Sequence, residues 1–288
     1  MSEKTQQRFE DLTNRLYDAM QQGPSEVLKA YIKVLRRFYD YSPGNRLLIA
    51  LQKPDATYVM GYKKWTQFGR HVKKGEKAIW IWAPIRKKVK ILPDLSSGGS
   101  TPDDHKGGKA GVSNAKEDFH YVVVGYTFVA VFDLSQTEGE PFEIPDPLDQ
   151  VEIVQPISFE GVLERVERAG IPVEIAGPAK PGSGGWTNGK KIVLYKRKEA
   201  SMLSVLLHEL VHYRLHFIRE KYRSEVSLKQ AELEAEFGSY LAGGLLGVES
   251  LQATSDYLIS YRVKPEELYH ALTRAGEAAL WVADLVRR

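Results

Sequence analysis

The spacing of apolar residues changes twice along the chain, and each change marks a different kind of secondary structure. Over the first forty residues apolar positions lie three or four apart, which predicts a helix at 5–21 and a second helix soon after it. Between residues 58 and 132 apolar and aromatic residues form short runs, which predicts mainly strands, with 119–132 as one long strand or a hairpin. From residue 199 onward the helical spacing returns and predicts four helices, at about 199–222, 227–246, 250–261 and 265–286.

Two polar segments interrupt these patterns and indicate where the chain divides. Residues 93–117 are rich in Ser, Gly, Lys and Asp without an apolar period, which is typical of a mobile loop. Residues 138–156 contain four prolines and are interpreted as a linker. We therefore expect an α+β protein with two domains, 1–137 and 157–288. In the second domain a small sheet, with a hairpin turn at Asn188-Gly189, is expected to precede the helices.

The composition excludes several classes of protein. Of the 288 residues 43% are hydrophobic and 27% are charged, which is typical of globular domains. Cysteine is absent, so disulfides, thiol catalysis and cysteine-ligated metals are excluded, and a metal site has to use His, Asp or Glu. The sequence contains no run of 18 or more apolar residues, so a membrane-spanning helix is not expected. The first ten residues are polar and lack the apolar segment of a signal peptide. A cytoplasmic protein is the default expectation.

Basic residues are concentrated near the start of the chain. Residues 1–90 contain 19 basic and 8 acidic side chains, whereas residues 91–288 contain 21 basic and 29 acidic ones. Most of the excess lies in 41–90, where 12 basic residues are interleaved with tyrosine, tryptophan and phenylalanine. Cations that track phosphates and rings that stack on bases suit single-stranded nucleic acid. The alternative is that Trp80 and Trp82 belong to the core and that the cations form a solvated face.

One motif in the second half predicts a metal site. Residues 207–212 read Leu-His-Glu-Leu-Val-His, within a strongly helical pattern. His208 and His212 lie one helical turn apart, so both imidazoles can reach one ion, and Glu209 can reach a water on that ion. This is the HExxH arrangement of zinc metallopeptidases, so Zn²⁺ is the expected cofactor and Glu209 the expected general base. The alternative is a pair of structural histidines on an amphipathic helix.

A third protein ligand is expected from the next helix, which reads Glu232-Leu-Glu-Ala-Glu236. Glu232 and Glu236 lie four positions apart and share one face, whereas Glu234 points about 200° away. We favour Glu232 as the ligand, with Glu236 orienting a histidine, although Glu236 or Glu234 could take the ligand position. The alternative is that these acids merely complement the helix dipole or face solvent, which would suit one or two of them.

Four further side chains near the motif receive less specific interpretations. His216 extends the histidine series, but it would lie about 12 Å from His208 along a straight helix, too far to share one ion. We interpret His216 as a residue behind the ligands or on the surface. The partner of a developing oxyanion cannot be read from the sequence, and Tyr213, Tyr240 and Tyr261 are equal candidates.

The histidine motif and the acidic motif together resemble those of a known group of peptidases. Residues 206–212 together with 232–246 look like the zincin-like peptidases of the ImmA/IrrE and ArdC groups, whose second motif has the form Glu-x-x-Ala followed by a polar residue. The resemblance implies that His208, His212 and Glu232 bind zinc. It also implies that Glu209 acts as the general base.

The first half of the chain also resembles the ArdC group. Residues 41–45 (Tyr-Ser-Pro-Gly-Asn), 61–65 (Gly-Tyr-Lys-Lys-Trp) and 69–78 (Gly-Arg-His-Val-Lys-Lys-Gly-Glu-Lys-Ala) look like the N-terminal domain of ArdC-type antirestriction proteins. In that family this domain binds single-stranded DNA and precedes a zincin domain. The residues expected to contact DNA are Arg46, Tyr62, Lys63, Lys64, Trp65, Arg70, His71, Lys73, Lys74 and Lys77.

Taken together, these features predict an N-terminal α+β domain that binds single-stranded DNA, followed by a minimal zincin-like domain that hydrolyses a peptide bond. The resemblance implies that the protein protects the incoming DNA of a mobile element from host restriction. One alternative is an ImmA-type regulatory protease that cleaves a repressor, for which replacing Glu209 with glutamine would abolish biological activity. The other is a DNA-binding protein with a non-catalytic metal site, for which that replacement would be silent.

Overall fold

The computed structural model describes residues 2–38, 40–90, 119–144, 158–178, 184–218, 226–248 and 263–287. The helices are α1 (Glu3–Gln22), α2 (Pro24–Arg37), α3 (Pro43–Gln52), α4 (Tyr62–Gln67), α5 (Phe159–Arg168), α6 (Glu199–His212), α7 (Leu228–Leu246) and α8 (Pro265–Arg287). The strands are β1 (Val59–Gly61), β2 (Arg70–Val72), β3 (Ile79–Lys90), β4 (Phe119–Asp133), β5 (Thr137–Gly139), β6 (Val173–Pro178), β7 (Gly185–Thr187) and β8 (Ile192–Lys196). The predicted loop at 93–117, most of the predicted linker and the predicted helix at 250–261 lie outside the described residues.

The first three helices begin at residues suited to that position. The hydroxyl of Ser2 accepts a hydrogen bond from the backbone of Thr5 at the start of α1. Pro24 opens α2, where its missing N–H costs nothing because the first turn of a helix has no partner for it. Ser42 caps α3 and accepts from the Asn45 backbone at 3.4 Å.

The first sheet has the order β1-β4-β3 and is antiparallel throughout. The segment predicted as one strand or a hairpin is a single strand, β4, with a register shift opposite Ile85 and Arg86. Strand β2 does not pair with its chain neighbour β3; it pairs antiparallel with β5, which follows β4. The basic segment, residues 41–90, therefore contributes strands to two different sheets.

Helix α3 lies along the edge of β3 and takes the place of a further strand. The side-chain amide of Asn45 donates to the Trp82 carbonyl at 2.9 Å and accepts from the Trp82 N–H at 2.8 Å. Gln52, two turns along α3, makes the same pair of bonds with Trp80 at 2.9 Å and 3.0 Å. A strand edge without partners would leave these backbone groups unsatisfied, so the two amides fix where α3 docks.

The second sheet has the order β6-β8-β7, with β6 parallel and β7 antiparallel to β8. Helices α6, α7 and α8 pack together beside it, and α8 also packs against α1 and α3. One glycine on α7 and one on α8 allow α2 to pack closely against these helices. A Cβ added to Gly276 would lie 2.1 Å from the Tyr31 hydroxyl, and one added to Gly244 would lie 2.3 Å from Ile32. Buried apolar residues from both halves consequently form one cluster.

The α+β class predicted from the sequence is confirmed by this mixture of helices and strands. Its division into domains 1–137 and 157–288 stays a prediction. Within the described residues the core crosses that division, and β5 extends to Gly139. Across the part of the chain that the structure describes, no helix has both the length and the apolar character that a membrane span requires.

Candidate metal centre and nucleic-acid surface

Helix α6 is held by one apolar face, which leaves its histidines on the other. The buried face consists of Leu203, Leu206, Leu207, Leu210 and Val211. His208 and His212 lie on the opposite side, with 18% and 13% of their side-chain surface exposed. Helix α7 approaches α6 closely at Gly238, where an added Cβ would lie 2.7 Å from the Val211 side chain. This approach brings the acidic residues of α7 to the histidines.

Three side chains converge on one point between α6 and α7. The Nε2 atoms of His208 and His212 lie 3.0 Å apart. The Glu232 carboxylate lies 3.5 Å from each of them, through Oε2 to His208 and through Oε1 to His212. Within the described residues these three side chains form a cluster in which all the candidate ligand atoms lie within 4.8 Å of one another.

The donor set and its spacing fit a divalent cation. Four-coordinate zinc has ligands at about 2.0–2.1 Å, so two ligand atoms in a tetrahedral site lie about 3.3 Å apart. The observed separations of 3.0 and 3.5 Å bracket that value. Two imidazole nitrogens and one carboxylate form the protein ligand set of many catalytic zinc sites, in which a further position stays open to solvent. Half of the Glu232 side chain is exposed, so the cluster is accessible from outside.

The charges at the cluster favour a cation. Hydrogen bonds from His208 and His212 hold the pKa of Glu232 well below its ordinary value, which keeps the carboxylate ionised. Burial would lower the pKa of His208, but the neighbouring carboxylates of Glu232, Glu236 and Glu209 outweigh this and raise it. The histidines therefore lie in a negative environment that a bound cation would neutralise.

Glu209 lies beside the cluster in a buried position. Only 7% of the Glu209 surface is exposed to solvent. Burial raises the pKa of Glu209, although the nearby His208 and His212 oppose this shift. A carboxylate with a raised pKa is better matched to accept a proton near neutral pH.

The three acids of α7 occupy three different environments. Glu232 lies at the cluster, as described above. Glu236, expected to orient a histidine, places Oε1 3.6 Å from His208 Nδ1, which is an ion-pair distance and too long for a hydrogen bond. Glu234 is completely buried and binds His216 at 3.1 Å, so the alternative that it faces solvent is wrong.

His216 lies behind the cluster and does not join it. The chain leaves α6 through a π-helical turn, Tyr213–Phe217, in which the Ile218 N–H donates to the Tyr213 carbonyl at 3.1 Å. The wider turn keeps His216 on the side of His212, so the two Nδ1 atoms lie 3.0 Å apart. The prediction that His216 lies behind the ligands is therefore confirmed, and the alternative that it lies on the surface is wrong.

The sequence interpretation missed Arg274, which binds Glu234 through two nitrogens at 2.9 and 2.5 Å. The available signal was an isolated arginine in the alanine-rich stretch of α8. The oxyanion candidates stay undecided: Tyr213 stacks on Trp281, Tyr240 lies one turn beyond Glu236, and Tyr261 is outside the described residues.

An edge strand lies next to α6. Strand β7 is at the end of its three-stranded sheet, and two glycines allow it to approach the helix. A Cβ added to Gly184 would lie 2.6 Å from Val205 of α6, and one added to Gly185 would lie 2.9 Å from the same side chain. An edge strand beside the ligand helix can hold an extended peptide by strand addition.

Two of the predicted DNA contacts are wrong, because their side chains are buried. Trp65 is fully buried and its indole N–H donates to the Phe132 carbonyl at 2.9 Å, so its ring cannot stack on a base. Arg46 is 5% exposed and donates to the Leu35 carbonyl at 3.3 Å, so it cannot reach a phosphate. Composition alone could not separate these core residues from the exposed ones around them.

Trp65→Ala is expected to lower the free energy of unfolding by about 3–5 kcal/mol, because it opens a cavity and removes the bond to Phe132. Urea unfolding of the whole chain measures this loss. Tyr62→Ala, at the exposed first residue of the same helix, is the matched control and should change stability by less than about 0.5 kcal/mol. Equal stability of the two variants would contradict the burial of Trp65.

Arg70 is engaged within the protein. Its guanidinium donates to the side chain and backbone of Thr137 at 2.9 and 3.0 Å and also to the Glu140 carbonyl. These bonds tie β2 to β5, so Arg70 shapes the surface rather than standing free upon it. The other predicted DNA contacts are exposed: Tyr62, Lys63, Lys64, His71, Lys73, Lys74 and Lys77.

The long ribbon of β3 and β4 forms a second exposed basic and aromatic surface. Arg86, Lys87 and Lys88 follow one another on β3 and are all exposed. Tyr121 lies opposite Lys88 and Tyr126 lies opposite Pro84. Because side chains alternate along a strand, Pro84, Arg86 and Lys88 lie on one face of β3, which Arg86 and Lys88 therefore share with the two tyrosines. Tyr121 is 66% exposed. We call these four residues, Arg86, Lys88, Tyr121 and Tyr126, together with Lys87, which is exposed on the other face of β3, the ribbon surface.

Trp80 and Trp82, nearer the base of the ribbon, are partly buried and pack against the core, which is close to the alternative interpretation. Trp82 stacks on Phe128 with ring centroids 3.9 Å apart. Trp80 is covered by the Arg8 guanidinium at 3.4 Å. Both rings pack against the main apolar cluster and are only partly accessible.

Comparison with known proteins extends these observations. Residues 6–112 match the family model described as the N-terminal domain of anti-restriction factor ArdC. The metal-free crystal structure of the antirestriction ArdC protein from the R388 plasmid aligns with a TM-score of 0.56 at 16% identity, covering 97% of both chains. The Mn(II)-bound structure of the same protein aligns with a TM-score of 0.54 at 14% identity, covering 96% of this chain and 97% of that one. At these identities the likeness shows a shared fold.

A relative among the curated proteins is the uncharacterized protein pXO2-81 of Bacillus anthracis. It is 25% identical over an alignment 297 positions long, which covers 92% of this chain and 49% of the relative. The chain thus spans about half the length of this relative.

The chain therefore shares the fold of the R388 ArdC protein and has a cluster of candidate metal ligands in the second half of its described residues. Residues 6–112 match the ArdC N-terminal domain and the chain shares the fold of the R388 ArdC protein, as the resemblance in the sequence implied. The peptidase part of that resemblance stays a prediction.

Proposed function

We propose that this chain is an antirestriction-type protein that binds single-stranded DNA through its first half and hydrolyses peptide bonds at a divalent-metal site in its second half. The observation that carries the metal site is the convergence of His208 Nε2, His212 Nε2 and the Glu232 carboxylate. The DNA-binding half is supported by the match of residues 6–112 to the ArdC N-terminal domain. Such a role would be carried out in the cytoplasm, where incoming DNA meets restriction enzymes.

The identity of the cation is narrowed by the ligands and by the shared fold. Two imidazoles and one carboxylate suit Zn²⁺, which the sequence motif predicts. The R388 ArdC protein has been crystallised with Mn(II), and imidazole with carboxylate also suits manganese. Both cations are therefore to be tested on this chain.

The chemistry of hydrolysis can be assigned to the residues of the cluster. A divalent cation bound there would supply Lewis-acid polarisation of the scissile carbonyl and of a water molecule. Glu209 accepts the proton of the attacking water and returns it to the leaving amine, for which its raised pKa is suited. Strand β7 holds the substrate backbone beside the cluster. The partly buried position of His208 and His212 limits the access of bulk water.

The ribbon surface is proposed as the main contact with single-stranded DNA, and the exposed cations of α4 and of residues 71–77 are proposed as further contacts. Its cations can follow the phosphates, while Tyr121 and Tyr126 offer rings to unpaired bases. Each stacked base contributes about 1–3 kcal/mol in comparable sites, so two tyrosines suffice for a preference over duplex DNA.

Removing the three charges of Arg86, Lys87 and Lys88 together, as glutamines, is expected to weaken binding of a labelled single-stranded oligonucleotide. Each phosphate contact contributes about 0.7 to the slope of log affinity against log salt, so the slope should fall by about 2. Fluorescence anisotropy across a salt series measures both quantities, and a duplex of the same length tests the preference for single strands.

The second half of the chain offers a matched control. Lys196, Arg197 and Lys198 are also three consecutive exposed cations, and their replacement by glutamine removes the same charge. That variant should bind DNA with the slope of the unmodified chain. Equal losses from the two triples would show that binding follows net charge and would contradict the ribbon surface as the contact.

A further inference from the structure

A cavity of about 500 Å³ lies between the C-terminal part of α5, the π-helical turn Tyr213–Phe217 with the residue after it, and the C-terminal part of α8. Cavities that bind small molecules typically enclose about 300–1,000 Å³. Among the described residues that line it, none belongs to the metal cluster or to the ribbon surface. The two activities proposed above therefore leave this cavity without a role.

One wall of the cavity is aromatic and flat. The rings of Tyr213 and Trp281 are nearly parallel, at an interplanar angle of 19° and with their centroids 6.5 Å apart. The π-helical turn joins Tyr213 to Ile218 by a hydrogen bond, so both residues line the cavity together. The Arg214 guanidinium lies 5.4 Å from the Trp281 ring and adds positive charge beside this wall. Such a wall suits a planar ring of a ligand.

A second wall carries two arginines. Arg165 and Arg168 lie three positions apart on α5, so both guanidinium groups can reach one anion. Arg165 donates to the Gly161 carbonyl of its own helix at 2.9 Å and pairs with no carboxylate among the described residues. Arg168 pairs with Glu164 at 2.5 Å, but both side chains are largely exposed. Exposed pairs contribute little stability, so a doubly charged phosphate can compete for Arg168.

The cavity also contains an acid next to the aromatic wall. Asp284 lies three positions after Trp281 on α8, so the two side chains share one face of that helix. An ionised carboxylate only accepts hydrogen bonds, and the amino and ring N–H groups of a heterocyclic base can donate them. The lining therefore combines a flat wall and an acceptor, which suit a base, with two cations, which suit a phosphate.

We propose that this cavity binds a nucleoside 5′-monophosphate, with its base on the wall of Tyr213 and Trp281 and its phosphate on Arg165 and Arg168. Guanidinium groups bind phosphate oxygens through paired, charge-assisted hydrogen bonds. Aromatic side chains stack on every base, so the wall accepts more than one nucleotide. The site goes beyond the proposed function because it requires neither a bound cation nor the ribbon surface.

Calorimetric titration of the metal-free full chain with dAMP tests the proposal. Deoxyadenosine lacks the phosphate and inorganic phosphate lacks the base, so each is expected to bind about tenfold more weakly than dAMP, or weaker still. Arg165→Ala should weaken dAMP binding by about tenfold, because a charged hydrogen bond is lost. Arg15→Ala removes an exposed arginine of α1 and is the matched control, which should keep the affinity within about twofold.

Trp281→Leu removes the aromatic wall and leaves both arginines of α5 in place. Its affinity for dAMP is expected to fall about fivefold or more, which reduces the advantage of dAMP over inorganic phosphate. Arg165→Ala should instead reduce the advantage of dAMP over deoxyadenosine, a split that a general loss of structure would not produce. If Trp281→Leu does not fold, Arg165→Ala decides alone. Absence of dAMP binding at millimolar concentration, or binding that Arg165→Ala does not weaken, would overturn the proposal.

The nucleotide can be free in solution or can be the 5′-phosphorylated end of a DNA strand. A 3′-labelled oligonucleotide with and without its 5′-phosphate separates these sources by fluorescence anisotropy. If the strand end binds, removing the phosphate weakens binding to the unmodified chain but not to Arg165→Ala. If only the free nucleotide binds, the phosphate has no effect on either chain while dAMP still binds. Both results support the cavity as a nucleotide site, and loss of DNA binding at the ribbon surface would leave the dAMP titration unchanged.

Discussion

Glu209→Gln is expected to abolish peptide hydrolysis while leaving the affinity for Mn(II) or Zn(II) within about twofold. The substitution preserves the size of a buried side chain next to His208 and His212 but removes the group that accepts the proton. General-base catalysis contributes about 10²–10⁴-fold, so the hydrolysis rate should fall by at least about a hundredfold. Incubation of the metal-loaded chain with a proteome-derived peptide library, followed by mass spectrometry of the products, measures the effect without a known substrate.

Glu277→Gln, also on a helix of the second half, makes the same change of charge and serves as the control. Products that form with the unmodified chain and with this control but not with Glu209→Gln would support the peptidase assignment. If the unmodified chain yields no products, or if Glu209→Gln yields them at the same rate, the metal site is not a peptidase. The DNA-binding half of the proposal would be unaffected by that outcome.

The same variant separates the functional alternatives that the motif alone cannot separate. A regulatory protease loses its biological effect with Glu209→Gln, whereas a DNA-binding protein with a non-catalytic metal site keeps it. Protection of incoming DNA from restriction is the appropriate assay for the second case. In that case the charge variant of Arg86, Lys87 and Lys88 should impair protection, because it weakens DNA binding. The metal cluster stays intact in this variant, so a loss of protection could not be attributed to the metal site.

The helices were the part of the fold that the sequence predicted best. Regular apolar spacing locates α1, α7 and α8 to within two residues, since each helix buries one face against a common core. Sheet pairing was harder to predict because partners depend on distant segments. Nothing in the local pattern of β2 indicates that it pairs with β5, more than sixty residues further along the chain.

The candidate site shows a similar division between local and distant information. His208, Glu209 and His212 lie on one helix, so their spacing alone predicts that they share a site. The partner of Glu234 could not be predicted, because Arg274 reaches it from α8, forty positions away. Trp65 was misassigned for the same reason: its aromatic and basic neighbours suggest nucleic acid, but β4 supplies the carbonyl that its indole binds. Burial in a shared core is a tertiary property that composition does not reveal.

His212→Ala is expected to remove cation binding and, with it, the stabilisation that the cation gives to the fold. A cation at a hundred times its Kd stabilises the native state by about 2.7 kcal/mol, which raises the Tm by several degrees. Without His212 Nε2 only His208 and Glu232 remain at the cluster, so Mn(II) or Zn(II) should leave the Tm of the variant unchanged. Thermal unfolding with and without each cation measures this difference.

The control for this experiment is a histidine of the same chain that lies away from the cluster. His270 is exposed on α8 and faces Glu266 one turn away, at 3.7 Å. Since His270→Ala leaves the three candidate ligands in place, it should keep the full cation-dependent rise in Tm. A similar rise in His212→Ala would mean that the cation binds elsewhere on the chain. The convergence of His208, His212 and Glu232 would then have no role in metal binding.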